Sequence, residues 1–76
     1  MINFNIKEYL ESMISHVTFE YNGKNCGVDP MSSTNFDMWY GDNEMTATSI
    51  DEVMNVKFFD NRSLNDILDD ITDLEY

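Results

Sequence analysis

The sequence predicts an α+β domain of order αββββαα, a small antiparallel sheet of two hairpins with helices on one face. Three observations predict it. Apolar residues recur at helical spacing at the two ends of the chain, polar and apolar residues alternate in its middle, and turn signals stand at Asn22-Gly23 and at Gly41-Asp42-Asn43-Glu44. Seventy-six residues make one domain, 1–76, near the lower size at which a core holds without staples.

The first helix opens at Asn5, which can cap it, with Glu8 three residues on as in a capping box and Phe4 placed to staple against Tyr9. Ile6, Leu10, Met13, Ile14 and Val17 form its apolar stripe, and the period changes to two at Val17, which sets the helix end near Ser15 or His16. Val17, Phe19 and Tyr21 then alternate with Thr18 and Glu20. Asn22-Gly23 is the strongest short hairpin signal, because both central residues of a type I′ turn need positive φ. A two-residue loop there pairs Phe19 with Cys26 and Val17 with Val28, apolar opposite apolar. Asp29-Pro30 is expected to stop this second strand and 31–35 to form a loop.

Phe36, Met38 and Tyr40 alternate with Asp37 and Trp39 in the second hairpin. With Asp42-Asn43 as its loop, Tyr40 faces Met45 and Met38 faces Ala47, while Trp39 faces Thr46 and Asp37 faces Thr48 on the other side. Ser49 and Glu52 form a second capping box, opening a short helix with Ile50, Val53 and Met54 inward. Phe58-Phe59 is read as a core plug, with a short strand over 56–59 as the other option. After a turn at Asp60-Asn61-Arg62, Ser63 caps the last helix with Asp66 three residues on. Leu64, Ile67, Leu68, Ile71 and Leu74 give that helix its stripe.

Composition narrows the function classes. Fifteen Asp and Glu against four Lys and Arg leave a net charge of −11, and no Lys or Arg occurs between Lys24 and Lys57. Such a chain is attracted to basic protein surfaces and repelled by nucleic acid and anionic membrane. A hydrophobic fraction of 42% and 13% aromatics are too rich for a disordered acidic tail. The lone Cys26 permits no internal disulfide, no apolar run approaches a membrane span, and the start lacks a signal-peptide pattern, so a soluble cytoplasmic protein is expected.

Two groups of residues are candidates for partner binding. On a continuous last helix Asp66, Asp69, Asp70 and Asp73 share about a third of the circumference, spaced ~5–6 Å apart, close to the spacing of phosphates along a nucleic-acid strand. The plainer reading is a solvated helix face. Against it, Asp66/Asp70 and Asp69/Asp73 are like charges at i,i+4, and Asp73 and Glu75 oppose the helix dipole. The second group is Trp39, the only tryptophan, with Asp37, Asp42 and Glu44. If helices cover one side of the sheet only, Trp39 faces solvent among Glu20, Asp37, Thr46 and Thr48, as an interface anchor does. A register shifted by one would instead pack it under a loop or the first helix.

His16 reads as a helix C-terminal residue and Cys26 as a small buried hydrophobe. Asp42-Asn43-Glu44 and the Asp66 to Asp73 cluster lack the ligand order of a calcium loop, and one Cys with one His does not suggest zinc. No phosphate loop, nucleophile elbow or triad pattern appears, so no catalytic, metal or cofactor residue is assigned and a non-enzymatic protein is expected.

In size, charge and element order the chain resembles the small acidic inhibitors made by phages and mobile elements, including some anti-CRISPR proteins. The shared features are the capped helix from Asn5, the hairpin at Asn22-Gly23 and two closing helices carrying Asp66, Asp69, Asp70 and Asp73. The resemblance implies a nucleic-acid mimic that places carboxylates where DNA or RNA would contact a nuclease or another binding protein. The alternative is a small regulatory or structural subunit that docks through the Trp39 face.

Overall fold

A computed structural model of the protein describes residues 5–12 and 15–76. Its elements are α1 (Ile6–Glu11), β1 (Val17–Tyr21), β2 (Lys24–Ser32), β3 (Asn35–Tyr40), β4 (Asn43–Ala47), α2 (Ile50–Asn55), α3 (Leu64–Ile67) and β5 (Thr72–Glu75). The strands form one antiparallel sheet in the order β4-β3-β2-β1-β5. The α+β class and the expected order of helix, strands and two further helices hold, with a fifth strand added at the end.

Asn5 caps α1, its side chain accepting from the Glu8 N–H at 3.1 Å. The helix closes earlier than expected, at Glu11, where the Ser12 N–H turns back to the Glu8 and Tyr9 carbonyls. Phe4 with its staple, and Met13 and Ile14 of the stripe, lie outside the described residues. The first hairpin has the expected register: Val17 opposite Val28, Phe19 opposite Cys26, Tyr21 opposite Lys24. Asn22 and Gly23 both take positive φ, 58° and 75°, as a type I′ turn demands.

Three expectations are corrected. Asp29-Pro30 does not stop β2; the strand runs on to Ser32, and Pro30 pairs with Phe36 on β3. Proline is tolerated there because β1 begins only opposite Val28, so Pro30 sits on a local sheet edge where its missing N–H is not needed. The loop of the β3–β4 hairpin is Gly41-Asp42, not Asp42-Asn43. Gly41, with φ 59°, takes the first loop position, which a type II′ turn reserves for glycine. The pairing therefore shifts by two residues: Tyr40 faces Asn43, Met38 faces Met45, Trp39 faces Glu44 and Asp37 faces Thr46. A shift of two keeps every side chain on its expected face.

The third correction is the last helix, which ends at Ile67; Asp70 closes a turn onto the Ile67 carbonyl, and residues 72–75 pair with β1. The acidic crowding explains the break: Asp69, Asp70 and Asp73 would load the C-terminal end of a helix with charges its dipole opposes. Capping is as expected at Ser63, where a full capping box with Asp66 forms. At Ser49 only half of it forms; Glu52 Oε1 accepts instead from the N–H and hydroxyl of Thr48.

One cluster holds the core among the described residues. Val17, Phe19, Cys26, Val28, Phe36, Met38 and Tyr40 from one sheet face meet Ile6 and Leu10 of α1, Val53 and Met54 of α2, and Leu64 and Ile67 of α3. Phe59, fully buried, plugs the centre as a loop residue, with its ring 5.8 Å from Phe19, 5.9 Å from Tyr40 and 5.2 Å from Phe58. The helices thus cover one face of the sheet, and the other face is left open.

Candidate interaction surface

The alternate residues of each strand build the open face. In an antiparallel pair, residues directly opposite share a face. One row crosses all five strands: Glu75, Thr18, Gly27, Trp39, Glu44. A second runs Asp29, Asp37, Thr46, and Glu20 with Asn25 lies on the other side of the first. Asp29 and Asp37 are like charges directly opposite each other, an arrangement that destabilises a sheet. Thr46 relieves it in part by donating its hydroxyl to Asp37 Oδ1 at 3.2 Å.

Trp39 occupies the middle of this face and is half-buried rather than fully exposed. Its cover is its neighbour Gly27. A Cβ on Gly27 would fall on Trp39 Cζ2, with Cε2 and Cη2 both 2.6 Å away. With the flanking carbons as near as 2.6 Å, the ring meets Gly27 with its face, since an in-plane approach along the Cζ2–H bond would hold both of them farther off. The indole therefore lies down on the glycine, and any larger residue would lift it. Beside it runs an open groove of about 650 Å³, lined on this face by Thr18, Glu20, Asn25, Trp39, Asp73 and Glu75.

The sequence-predicted site divides accordingly. Asp37, Trp39 and Glu44 come together on the open face. Asp73 reaches the same groove from β5, where it holds φ 53°, and not from a helix face. Asp42 stands at the tip of the β3–β4 turn, beside Lys24. The expected row of Asp66, Asp69, Asp70 and Asp73 does not exist, because only Asp66 lies in a helix. Asp66 is engaged structurally: it accepts from the Ser63 N–H at 3.1 Å and from Lys57 Nζ at 3.2 Å. Those bonds, the backbone one foremost, hold its carboxyl below the ordinary aspartate pKa. Asp70 lies 3.8 Å from Arg62.

The cations are all placed away from the open face. Lys57 and Arg62 pair with Asp66 and Asp70, Lys7 is on α1, and Lys24 sets its ammonium 4.9 Å over the Tyr40 ring on the core side. Glu20, Asp29, Asp37, Glu44 and Glu75 therefore have no ion-pair partner among the described residues. Sequence reasoning did not single out Gly27, Thr18 or Glu75 for this face. The first hairpin's register already paired Thr18 with Gly27; Glu75 required the fifth strand.

His16 is exposed and precedes β1, outside any helix, so the helix-terminal reading is corrected. Cys26 is buried as expected; burial pushes its thiol up to about 11, so it stays protonated at neutral pH. Among the described residues no group of His, Cys, Asp and Glu is arranged to hold a metal ion, and no helix is long and apolar enough to cross a membrane. No protein-family model, curated protein or solved structure matches the chain.

Proposed function

We propose that this chain is a non-enzymatic cytoplasmic binding module that docks its open sheet face on a basic protein surface. In its most concrete form it inhibits a nuclease or another DNA- or RNA-binding protein by occupying the site that holds phosphates, as the phage and mobile-element inhibitors it resembles do, anti-CRISPR proteins among them. The observation that carries this reading is the segregation of charge: Glu20, Asp29, Asp37, Glu44 and Glu75 surround Trp39 on one face, while the cations lie elsewhere. Setting Asp29 against Asp37 costs stability, and binding a basic partner offsets that cost. The half-buried indole favours a second reading, a regulatory or structural subunit anchored through Trp39.

Affinity capture from host lysate separates the two. The inhibitor reading expects a retained nucleic-acid-binding protein that DNA or RNA displaces at low salt. Retention should fall at least tenfold with Asp37→Asn, Glu44→Gln and Glu75→Gln combined, and should survive Asp69→Asn with Asp70→Asn. A retained protein that ignores nucleic acid and the three open-face carboxylates but requires Trp39 overturns the inhibitor reading and leaves the subunit.

A further inference from the structure

We infer that the groove beside Trp39 is a seat for an arginine side chain of the partner, stacked on the indole with its guanidinium fork turned to Glu20 and Glu75. The inference rests on the docking reading above and names the chemistry that the face recognises. Gly27 holds one face of the indole against the sheet, so the opposite face of the ring is turned outward and borders the groove. A flat aromatic face attracts a cation through its quadrupole, most strongly for tryptophan.

The next position across the sheet from Gly27 is Thr18, whose short side chain leaves the groove open. Glu75 stands directly opposite Thr18, and Glu20 follows two residues along β1. Thr18 and Trp39 are two strand intervals apart, about 9.5–10 Å. A side chain lying on the ring can thus direct its head to carboxylates on the far wall.

The lining selects among occupants. A nucleobase could stack on the ring but would draw its phosphates into a field of carboxylates. An apolar anchor would leave Glu20, Asn25 and Glu75 desolvated without partners. Lysine satisfies the charge but is a point charge without a plane to stack. Arginine supplies both the plane and a fork that matches a carboxylate. The chain's own cations do not fill the seat, since Lys24, Lys57 and Arg62 are engaged elsewhere.

The test uses two dye-labelled peptides of equal length and charge, one built on arginine and one on lysine, titrated into the protein at low salt. Trp39 is the only tryptophan, so its emission reads the seat directly while peptide anisotropy reads binding. The arginine peptide should bind roughly threefold to thirtyfold tighter than the lysine peptide and alter the tryptophan emission. Trp39→Leu should abolish that preference, and Trp39→Phe, which keeps a ring, should retain part of it. Glu20→Gln with Glu75→Gln should weaken the arginine peptide more than the lysine peptide. Equal binding of the two peptides, unchanged emission, or a preference that survives Trp39→Leu overturns the arginine seat. If both peptides bind equally and weaken together when the carboxylates are neutralised, the seat fails while docking on a basic surface stands.

Discussion

The two faces of the sheet are written by the same strands and obey opposite rules. On the covered face, Val17, Phe19, Cys26, Val28, Phe36 and Met38 are buried and apolar, and no described buried side-chain polar atom lacks a partner. On the open face, Thr18, Glu20, Asp29, Asp37 and Glu44 alternate with them, and like charges sit opposite each other. The helix side also carries acids, but there Asp66 caps α3 and pairs with Lys57, and Asp70 lies near Arg62. Asp66 and Asp70 are matched by cations of the fold, whereas Asp29 and Asp37 face each other with no cation between them.

That contrast breaks most severely in the core. Phe59→Ala should cost about 3–5 kcal/mol in denaturant unfolding, since the ring is fully buried among Phe19, Tyr40 and Phe58. Partner affinity of the folded fraction should be unchanged. A smaller loss, about 1–2 kcal/mol, is expected for Trp39→Ala, because its ring is only half removed from water. That variant should lose partner binding disproportionately.

Gly27→Ala sharpens the comparison from the glycine side. The added methyl lands on the indole, so about 1–3 kcal/mol should be lost through overpacking. Combined with Trp39→Ala, the same substitution should cost far less, and a double-mutant cycle with no coupling would show that the two residues are not stacked.

Asp29→Asn should have the opposite sign, raising stability by up to about 1 kcal/mol by removing the repulsion with Asp37. Binding to a basic partner should weaken and its salt dependence flatten. Loss of stability instead would mean that the open-face charges belong to the fold.

The smallest effect concerns Asp66. Its pKa is depressed in the folded protein, so its contribution is complete above the ordinary aspartate range and is lost as pH falls through that range toward the lower folded value. Asp66→Asn should therefore flatten the acid limb of the stability curve and leave partner binding unchanged.

Short-range signals were readable and long-range ones were not. Asn22-Gly23 with its apolar pairs specified the first hairpin, and Ser63 with Asp66 specified a helix start, because each depends on neighbouring residues. Pro30 read as a stop because its tolerance depends on where β1 begins, which only the assembled sheet decides. Leu64, Ile67, Leu68, Ile71 and Leu74 satisfy a helical period, yet Leu68 falls in the turn that follows the helix, Ile71 in the link to β5 and Leu74 in that strand. The like-charge pairs that seemed odd on a helix were the readable sign that the helix does not continue. For the site, alternation placed Asp37 and Trp39 correctly, and the two-residue register shift brought Glu44 opposite Trp39. Glu75 and Asp73 reach the groove only through β5.

The strand order also dictates the order of assembly. β1 to β4 are joined successively by tight hairpins, so their pairing closes small loops at little entropic cost. β5 must return from the far end of the sequence to pair with β1, across all the intervening strands and both later helices. That non-local step is expected to come late and to be the first to reverse. Its backbone amides, tied at a register shift and a left-handed Asp73, should exchange with solvent ahead of those of the hairpins, which hydrogen exchange would read. Each such opening carries Asp73 and Glu75 away from the indole, so the lifetime of the Trp39 groove is the lifetime of β5 on the sheet.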